Sequence, residues 1–451
     1  MSFFSIETGP WTWRRGVQWF FLCGLLLVWS IPGTVALRNL FIVALALCLD
    51  WRPLFRYDLW REIPVALWAI VGLTVAILLH SLFLSSDSLW SLREFSGQWL
   101  KVLLLLLMGF VLARNAARPE NLAYLLGWVA ALLALPIIMT LVDACWLWWH
   151  EGAIPFGIAR LTGSRTGTSY LNNLLLAFLV TDLLVRVFQS ADGRRLLAWP
   201  LSWVLVMLVL SVFCSWLLTT RNGNIGVLFL VASSFLLYLV QHRQRLPMRR
   251  LSVISLLGIS VLTVFVLVSY RSDSRWVNFF ETVPVAWDID HYDAWRKPLG
   301  EHRVMPSLED GEGTDESAFL RLAWIHSGLR LVSEYPLGVG YGRNAYGHAM
   351  SLYFQEPFTG HSHSGLLDWT LGLGIPGLIF WLGVVALLFR HGWRAWFLDQ
   401  RPSGLLLIFL VSGFLGRSLL DSNMRDHMME MAFFLFGLLL APGVVRERKE
   451  Q

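Results

Sequence analysis

The amino-acid sequence predicts an all-α protein that crosses a membrane about twelve times and carries one long loop outside it. Of the 451 residues, 56% are hydrophobic and 15% are charged, whereas soluble domains are about 45–50% apolar and about 25% charged. The apolar residues form long runs, and basic residues gather between these runs. Lipid is therefore expected to be the main solvent of this chain.

Twelve apolar runs are long enough, or nearly so, to cross a hydrocarbon core, which takes about 20 helical residues. They cover residues 17–34, 36–50, 63–84, 99–115, 122–149, 168–188, 198–219, 224–241, 251–270, 364–390, 403–420 and 430–445. The second and last runs are short, so tilted or hairpin-paired helices are expected there. No small-residue cleavage site follows the first run, which is interpreted as a retained span.

Basic residues alternate between the two sides of the predicted membrane, and Lys and Arg near span ends stay in the cytoplasm. One side receives the clusters around Arg14, Arg52, Arg114, Arg194, Arg249, Arg390 and Arg446. Both termini are therefore expected in the cytoplasm. The opposite side receives the segments 85–98, 150–167, 220–223, 271–363 and 421–429.

Composition also argues against some classes of partner. The net charge of +5 is small for this length, and the arginines form short clusters between apolar runs, so a nucleic-acid partner is not expected. All four cysteines, Cys23, Cys48, Cys145 and Cys214, fall in apolar segments without metal-ligand spacing. Neither a disulfide framework nor a zinc site is indicated.

The long outer loop separates three parts of the chain: residues 1–270 with the first nine spans, the loop 271–363, and residues 364–451 with three spans and a cytoplasmic tail. Apolar residues at near-helical spacing predict an amphipathic helix over 317–333, lying on or near the membrane surface. This helix should stop at Tyr335-Pro336.

Two histidines, His361 and His363, stand at the end of the outer loop, just before the tenth span. A neutral imidazole can accept a proton from a hydroxyl near pH 7, which suits a general base. Alternatively, His363 and its serine neighbours only cap the following helix.

Three arginines occupy other outer segments. Arg221 lies in the short turn 220–223 between two apolar spans, where a bound anion would be a natural counter-charge; snorkelling to lipid headgroups is the alternative. Arg160 and Arg165 lie in a hydroxyl-rich loop that leads into a helix N-terminus, which forms either an anion cradle or a flexible polar loop.

The outer loop carries a fourth group, Arg321 and Trp324 followed by the glycine-rich run 336–344. Because no strand precedes this run, we interpret it as a tight turn, with a backbone nest for a phosphate as a further option, and not as a nucleotide loop. A last group, 416–427, mixes both charge signs and favours an ion-pair network over a direct catalytic role.

Together these segments resemble the bacterial O-antigen ligase family, which belongs with the O-antigen polymerases and O-oligosaccharyltransferases. The family pattern is a His, then Asn or Ser, then an apolar residue. A Gly follows eleven positions after the His. His363, Ser364, Leu367, Gly374 and Gly377 fall on these positions, whereas a count from the other histidine misses the glycine by two.

Two further elements carry the resemblance. Thr220-Arg221-Asn222-Gly223 is similar to the family's Thr/Ser-Arg-Gly element, with Asn222 where Gly is usual. The Arg…Trp…Pro-x-Gly-x-Gly element is matched by Arg321, Trp324, Pro336, Gly338 and Gly340.

The resemblance implies a GT-C-like membrane glycosyltransferase in the bacterial inner membrane, with its active site facing the periplasm. It implies transfer of an O-antigen glycan from undecaprenyl pyrophosphate to a sugar hydroxyl of the lipid A core, with inversion. The expected partners are these two lipid-linked substrates and membrane lipids. The donor is already activated and no paired carboxylates suggest a metal site, so no metal, ATP or cofactor is expected.

In this scheme His363 deprotonates or orients the acceptor, and Arg221 binds the pyrophosphate as a catalytic group. Arg160, Arg165, Arg321, His361 and Trp324 complete the predicted substrate-binding set.

Other functions stay open at this point. An O-antigen polymerase would use a similar donor, but two comparable outer loops would be typical of it, and the sequence has one dominant loop. The third alternative is a protein O-glycosyltransferase, and the absence of an additional soluble C-terminal domain weighs mildly against it. A transporter would need mid-membrane ionisable residues and repeated broken helices, and the sequence shows few such charges and no internal repeat.

Overall fold

A computed structural model describes residues 12–55, 63–116, 119–189, 193–242, 252–253, 255–256, 258–260, 263–264, 266–267, 270, 275–296, 304–308, 313–358 and 360–441. Over these ranges the regular structure is helical, and one isolated bridge joins Ser307 and Gly313. The predicted all-α class is confirmed.

The first eight helices follow the predicted apolar runs. They are α1 (Thr12–Val28), α2 (Val35–Cys48), α3 (Val65–Phe83), α4 (Ser88–Asn115), α5 (Pro119–Glu151), α6 (Arg165–Phe188), α7 (Leu201–Leu218) and α8 (Arg221–His242). Proline precedes α3 and α7 and opens α5, since its fixed φ and missing N–H suit a helix start.

The remaining helices are α9 (Arg275–Trp287), α10 (Glu316–Glu334), α11 (Ala345–Phe354), α12 (Gly365–Phe397), α13 (Pro402–Ser418) and α14 (Asp426–Leu440). Helices α9 to α11 belong to the outer loop. Helix α14 begins four residues earlier than the predicted run 430–445 and ends five residues earlier.

Two predicted outer segments are partly helical instead. Asp87 accepts a hydrogen bond from the backbone of Trp90 (2.9 Å) and caps α4, which continues through a π-helical turn at Phe95–Trp99. The prediction of a loop over 85–98 is therefore wrong from Ser88 onward. The predicted turn 220–223 is also mostly helical. The backbone turns at Thr219 (φ 48°), and α8 already begins at Arg221.

Seven helices, α3 to α8 and α12, are long and apolar enough to cross a membrane, and shorter apolar helices lie at Gly16–Val28, Val35–Cys48 and Pro402–Ser418. These counts refer to the ranges given above. The total of twelve spans stays a prediction, because the ninth run, 251–270, is described only in part. The basic clusters at 243–250 and 446–449 lie outside the described residues.

Helices α4 and α14 pack closely at the centre of the bundle. A Cβ on Gly109 or Gly437 would meet the backbone of the opposite helix, which is how small residues bring membrane helices together. Trp99, Trp381 and Phe433 are fully buried beside this contact.

The outer loop forms its own apolar cluster. Phe319, Ala323 and Trp324 of α10 are buried against α11 and against Leu371 of α12. The predicted amphipathic helix is thus confirmed, and it ends before Tyr335 as expected. Its apolar face, however, packs on protein rather than on a membrane surface, because α11 and α12 cover it.

Candidate active site

The site lies where α12 begins, and a break in this helix shapes it. Gly374 has φ 72° and ψ −179°, which only glycine adopts readily. Residues 336–340, named here the glycine strap, form hydrogen bonds with the backbone carbonyls and the N–H group of α12 that the break leaves without a helical partner. Val339 and Gly340 donate to Leu371 and Gly372 (2.8 and 2.9 Å), and Ile375 donates to Pro336 (2.9 Å).

The glycine strap needs its glycines for close approach. A Cβ on Gly338 would overlap the backbone at Gly374, and a Cβ on Gly374 would overlap Leu337. The predicted tight turn is therefore confirmed. The predicted option of a phosphate nest is not supported, because the N–H groups of Val339 and Gly340 already donate to α12.

The loop before α12 presents the two histidines. Ser362 is buried, and its N–H donates to Oδ1 of Asp368 (3.0 Å). Ser364 caps α12 by accepting from the N–H of Leu367 (3.4 Å). His363 has φ 57°, a left-handed conformation that costs a non-glycine residue about 1–2 kcal/mol. The capping role foreseen for this segment thus belongs to Ser364.

The two histidines and Trp324 form one stack of rings. The ring centroids of His361 and His363 are 4.3 Å apart, and Trp324 stacks on His363 with centroids 5.2 Å apart and planes 13° from parallel. Burial lowers the pKa of His361 to about 3, assisted by His363 and Arg425. Burial also lowers the pKa of His363 to about 4, assisted by Arg321 and Arg425 and opposed by the carboxylate of Asp421. Both imidazoles are therefore neutral at pH 7.

Two arginines place positive charge at these rings. Arg321 lies three residues before Trp324 on α10, so both side chains share one face of the helix. Arg425 lies between α13 and α14 and pairs with Asp426 (3.0 Å). The sequence placed Arg425 in an ion-pair network only, and its approach to the histidines across about 60 residues of chain had no sequence signal.

The predicted ion-pair network at 416–427 is confirmed for Arg417 and Asp421. Their side chains lie 2.8 Å apart and are nearly buried. Arg417 also donates to the carbonyl of Thr166 at the start of α6 (3.0 Å), and the carbonyl of Asp421 accepts from Gly365 at the start of α12 (3.0 Å). The network therefore joins two helix N-termini to the end of α13.

The N-terminus of a third helix, α8, reaches the same segment after α13. Asn222, in the first turn of α8, donates to the carbonyl of Leu420 (2.9 Å). Helix N-termini carry partial positive charge, equivalent to about half an elementary charge each. The starts of α6, α8 and α12 thus converge on residues 417–421, where they favour a negatively charged group.

Arg221 is the first residue of α8 and forms a short ion pair with Asp315 (2.6 Å). Its guanidinium also lies over the ring of Phe279 (5.7 Å). Asp315 caps α10 by accepting from Ala318 (3.2 Å). Because Asp315 and Trp324 are nine residues apart, Arg221 contacts α10 about 13 Å along the helix axis from the ring stack.

Arg160 and Arg165 contact other parts of the protein. Arg160 is exposed, lies 4.0 Å from Asp143 and sits over the ring of Trp146 (5.8 Å), both on α5. Arg165 opens α6, and its guanidinium packs against Gly157. The structure therefore brings together His361, His363, Trp324 and Arg321, whereas these described contacts place Arg160 and Arg165 at the loop between α5 and α6.

A small polar cavity of about 20 Å³ lies beside the histidine loop, lined by Arg343, Arg425, Asp368 and Gly372 among others. Arg343 binds Glu94 of α4 with two nitrogens (2.8 and 2.9 Å) and also reaches Asp426 (3.2 Å). Within the described ranges no group of three or more His, Cys, Asp or Glu side chains could hold a metal ion.

Residues 206–382 match the family model described as O-antigen ligase. This segment runs from α7 into α12 and includes Arg221, Arg321, Trp324, His361 and His363, but neither arginine of the α5–α6 loop. No curated protein matches the chain.

Proposed function

We propose that this protein is a membrane glycosyltransferase of the O-antigen ligase family that completes lipopolysaccharide. The match of residues 206–382 to the family model supports this. The donor would be a glycan on undecaprenyl pyrophosphate, and the acceptor a sugar hydroxyl of the lipid A core. The reaction would take place at the periplasmic face of the bacterial inner membrane, with inversion and without a metal ion.

One observation carries this proposal: His363 is stacked on Trp324, and the positive charges of Arg321 and Arg425 act on its ring. A neutral imidazole can accept a hydrogen bond from the acceptor hydroxyl. The two guanidinium groups can bind the anionic leaving group. Base and anion site are then adjacent, as glycosyl transfer from a pyrophosphate requires.

In the proposed reaction the acceptor oxygen attacks the anomeric carbon of the donor glycan, and the bond from that carbon to the pyrophosphate oxygen breaks. The electron pair leaves with the pyrophosphate, and the proton of the acceptor hydroxyl passes to His363. Negative charge grows on the pyrophosphate, so Arg321 and Arg425 stabilise the transition state more than the bound donor.

The electrostatics of the site favour an ordered reaction. Without donor, burial and the neighbouring arginines keep the pKa of His363 near 4, which makes it a weak base. A bound pyrophosphate would offset the charges of Arg321 and Arg425 and raise this pKa. His363 would therefore become an effective base once the donor is in place.

The other predicted residues keep a place in this proposal. Arg221 would exchange Asp315 for a pyrophosphate oxygen as the donor binds. Arg160 and Arg165 would contact donor groups farther from the reacting bond, since their contacts are at the α5–α6 loop. His361 would support His363 through its ring contact.

A lipopolysaccharide gel tests the function. Deletion of the gene should leave core without a ladder while lipid-linked polymer accumulates; core carrying a single repeat would instead identify a polymerase. Complementation with His363→Ala should leave ligation lower by about 10²–10⁴-fold. His326→Ala is the matched control, because this histidine lies in the same loop and stacks on Trp287 instead. A normal ladder from His363→Ala, at equal protein levels, would overturn the proposed role.

A further inference from the structure

The segment just before α12 forms a tight turn, residues 362–364, around His363. The hydroxyl of Ser362 donates to the carbonyl of Ser364 (3.0 Å) and accepts from the N–H of Ser364 (3.1 Å). Both serines are buried. His363, between them, has a left-handed backbone conformation, which persists only where the surroundings hold it. The direction of its ring therefore depends on what holds the turn 362–364.

Asp368 fixes this turn to α12. It lies in the first turn of the helix, is 8% exposed, and its Oδ1 accepts from the N–H of Ser362 (3.0 Å). A hydrogen bond away from water is electrostatically stronger than one in water. The backbone directly before His363 thus takes its position from one carboxylate.

The second oxygen of the same carboxylate contacts another part of the site. Oδ2 of Asp368 accepts from the hydroxyl of Ser422 (3.4 Å), which lies in the segment between α13 and α14 that also carries Arg425. Asp368 and Arg425 both line the small polar cavity, whose 20 Å³ has room for about one water molecule. One carboxylate is therefore bonded to the backbone beside the histidine and to the segment that carries the arginine.

We propose that Asp368 is a positioning residue that sets the placement of His363 relative to Arg425. It acts through the backbone of Ser362 and the hydroxyl of Ser422. The inference rests on the proposed function, in which the proton acceptor and the anion site must be in place together. A displacement of about 1 Å at a reacting group can lower a rate by about 10²-fold.

Both contacts of Asp368 depend on hydrogen bonding rather than on charge. An asparagine side chain at position 368 can accept from the N–H of Ser362 through Oδ1 and donate to the hydroxyl oxygen of Ser422 through Nδ2. An alanine can make neither contact. Ser364 caps α12 without the help of Asp368, so the start of the helix is retained in both variants.

Steady-state ligation in proteoliposomes tests this role. Asp368→Ala should lower kcat by about 10²-fold, because the histidine is no longer held in register. The KM for the donor should change less than about threefold, since the arginines that bind the donor are retained. Asp368→Asn should recover at least about tenfold of the lost kcat. Ser422→Ala removes one contact only and should lower kcat by about threefold to tenfold.

Asp182→Ala is the matched control for loss of a buried carboxylate. Asp182 is fully buried and accepts from the N–H groups of Leu196 and Leu197 (2.9 and 2.8 Å). It lies about 26 Å along α6 from the start of that helix at Arg165. At equal amounts of folded protein, the kcat of this variant should match that of the wild type.

Hydrogen exchange of the full-length protein in nanodiscs, without donor or acceptor, measures the turn 362–364 directly. In Asp368→Ala its amides should exchange about tenfold faster or more, because Ser362 loses its acceptor. Asp368→Asn and Asp182→Ala should exchange there at the wild-type rate. Because no glycosyl transfer is measured, this pattern in a protein without ligase activity would support the contacts of Asp368 and contradict only the proposed function.

A wild-type kcat in Asp368→Ala would overturn the proposal. It would also be overturned if Asp368→Asn were no more active than Asp368→Ala, because the charge itself would then be required. An equal loss of kcat in Asp182→Ala would overturn it as well and leave Asp368 a role in stability alone. If Asp368→Ala does not fold, Ser422→Ala still decides, since an unchanged kcat in that variant contradicts the link to the arginine segment.

Discussion

At the scale of single residues, the candidate site depends on charges brought together from distant parts of the chain. His363 was predicted from its spacing to Gly374 and Gly377, a pattern within one short segment. Arg425 and Asp368 were not predicted as its neighbours. One reaches the histidines from the segment between α13 and α14, and the other holds Ser362 through a buried hydrogen bond. Such contacts depend on tertiary packing and leave no periodic signal.

The pH dependence of ligation follows from the environment of His363. A base must be unprotonated to act, and the pKa of His363 is lowered from 6.5 to about 4. At limiting donor, where the rate reports the donor-free protein, ligation should therefore fall only as the pH approaches about 4. Arg321→Met removes a positive charge beside the ring, which raises this pKa and moves the acidic limb to higher pH, though not fully to 6.5, because burial is the larger cause.

Ligation by proteoliposomes across a pH series measures this effect. Arg330→Met is the matched control, since this arginine lies on the same helix but pairs with Asp290 (2.7 Å). Its profile should coincide with that of the wild type. A limb near 6.5 at limiting donor in the unmodified protein would contradict the neutral-histidine mechanism.

The role of Arg221 can be separated from that of its partner. Arg221→Lys should lower ligation by about 10- to 100-fold, because an ammonium cannot replace a bidentate guanidinium and charged hydrogen bonds contribute about 1.5–3 kcal/mol. Asp315→Asn keeps an acceptor for the N–H of Ala318 and should have a much smaller effect. Steady-state ligation rates and unfolding temperatures of both variants measure this. Similar losses of rate and stability in both variants would instead indicate that Arg221 only holds α10 in place.

At the scale of elements, run lengths predicted most helices to within a few residues, because the hydrophobic pattern alone determines where a helix can cross lipid. The break in α12 was not predicted. Leu371 to Gly377 reads as an apolar run with glycines and Pro376. Pro376 has no N–H to donate to Gly372, and the strap binds that free carbonyl, so both explain why Gly374 leaves the helical conformation. The start of α4 at Ser88 was also missed, since the cap at Asp87 precedes the apolar run.

The break in α12 gives a stability prediction. Gly374→Ala should destabilise the protein by about 1–3 kcal/mol or more, because its φ of 72° is unfavourable for alanine and the new Cβ would meet the strap backbone. Gly383→Ala, in the regular part of the same helix with open space around it, should be neutral or stabilising by up to about 1 kcal/mol. Thermal unfolding in detergent compares them; equal unfolding temperatures would show that the strap tolerates a side chain.

At the scale of the whole molecule, a buried charge pair joins three helical regions. Lys101 of α4 lies 2.7 Å from Glu430 of α14, and Glu430 also accepts from the indole of Trp29, which follows α1 (3.2 Å). The sequence shows Lys101 and Glu430 near the starts of two apolar runs, but not that the two side chains meet. The overall class was therefore predictable from composition, whereas the arrangement of the helices was not.

Separating this pair tests how the bundle is held together. Lys101→Met leaves the charged side chain of Glu430, which is 3% exposed, without its partner. Loss of one partner of a buried pair costs about 3–5 kcal/mol in stability. Adding Glu430→Gln should recover most of this loss, because the neutral amide still accepts from Trp29. Unfolding free energies of the single and double variants measure the coupling, and strictly additive losses would argue against it.

The attachment of the glycine strap to α12 has an evolutionary consequence. The strap is joined to the helix through main-chain atoms at Val339, Gly340 and Ile375, and main-chain hydrogen bonds do not depend on side-chain identity. Only the glycines at the close approaches are constrained. The surface residues of the outer loop can therefore change by drift or exchange while its junction with the membrane helices keeps the same register.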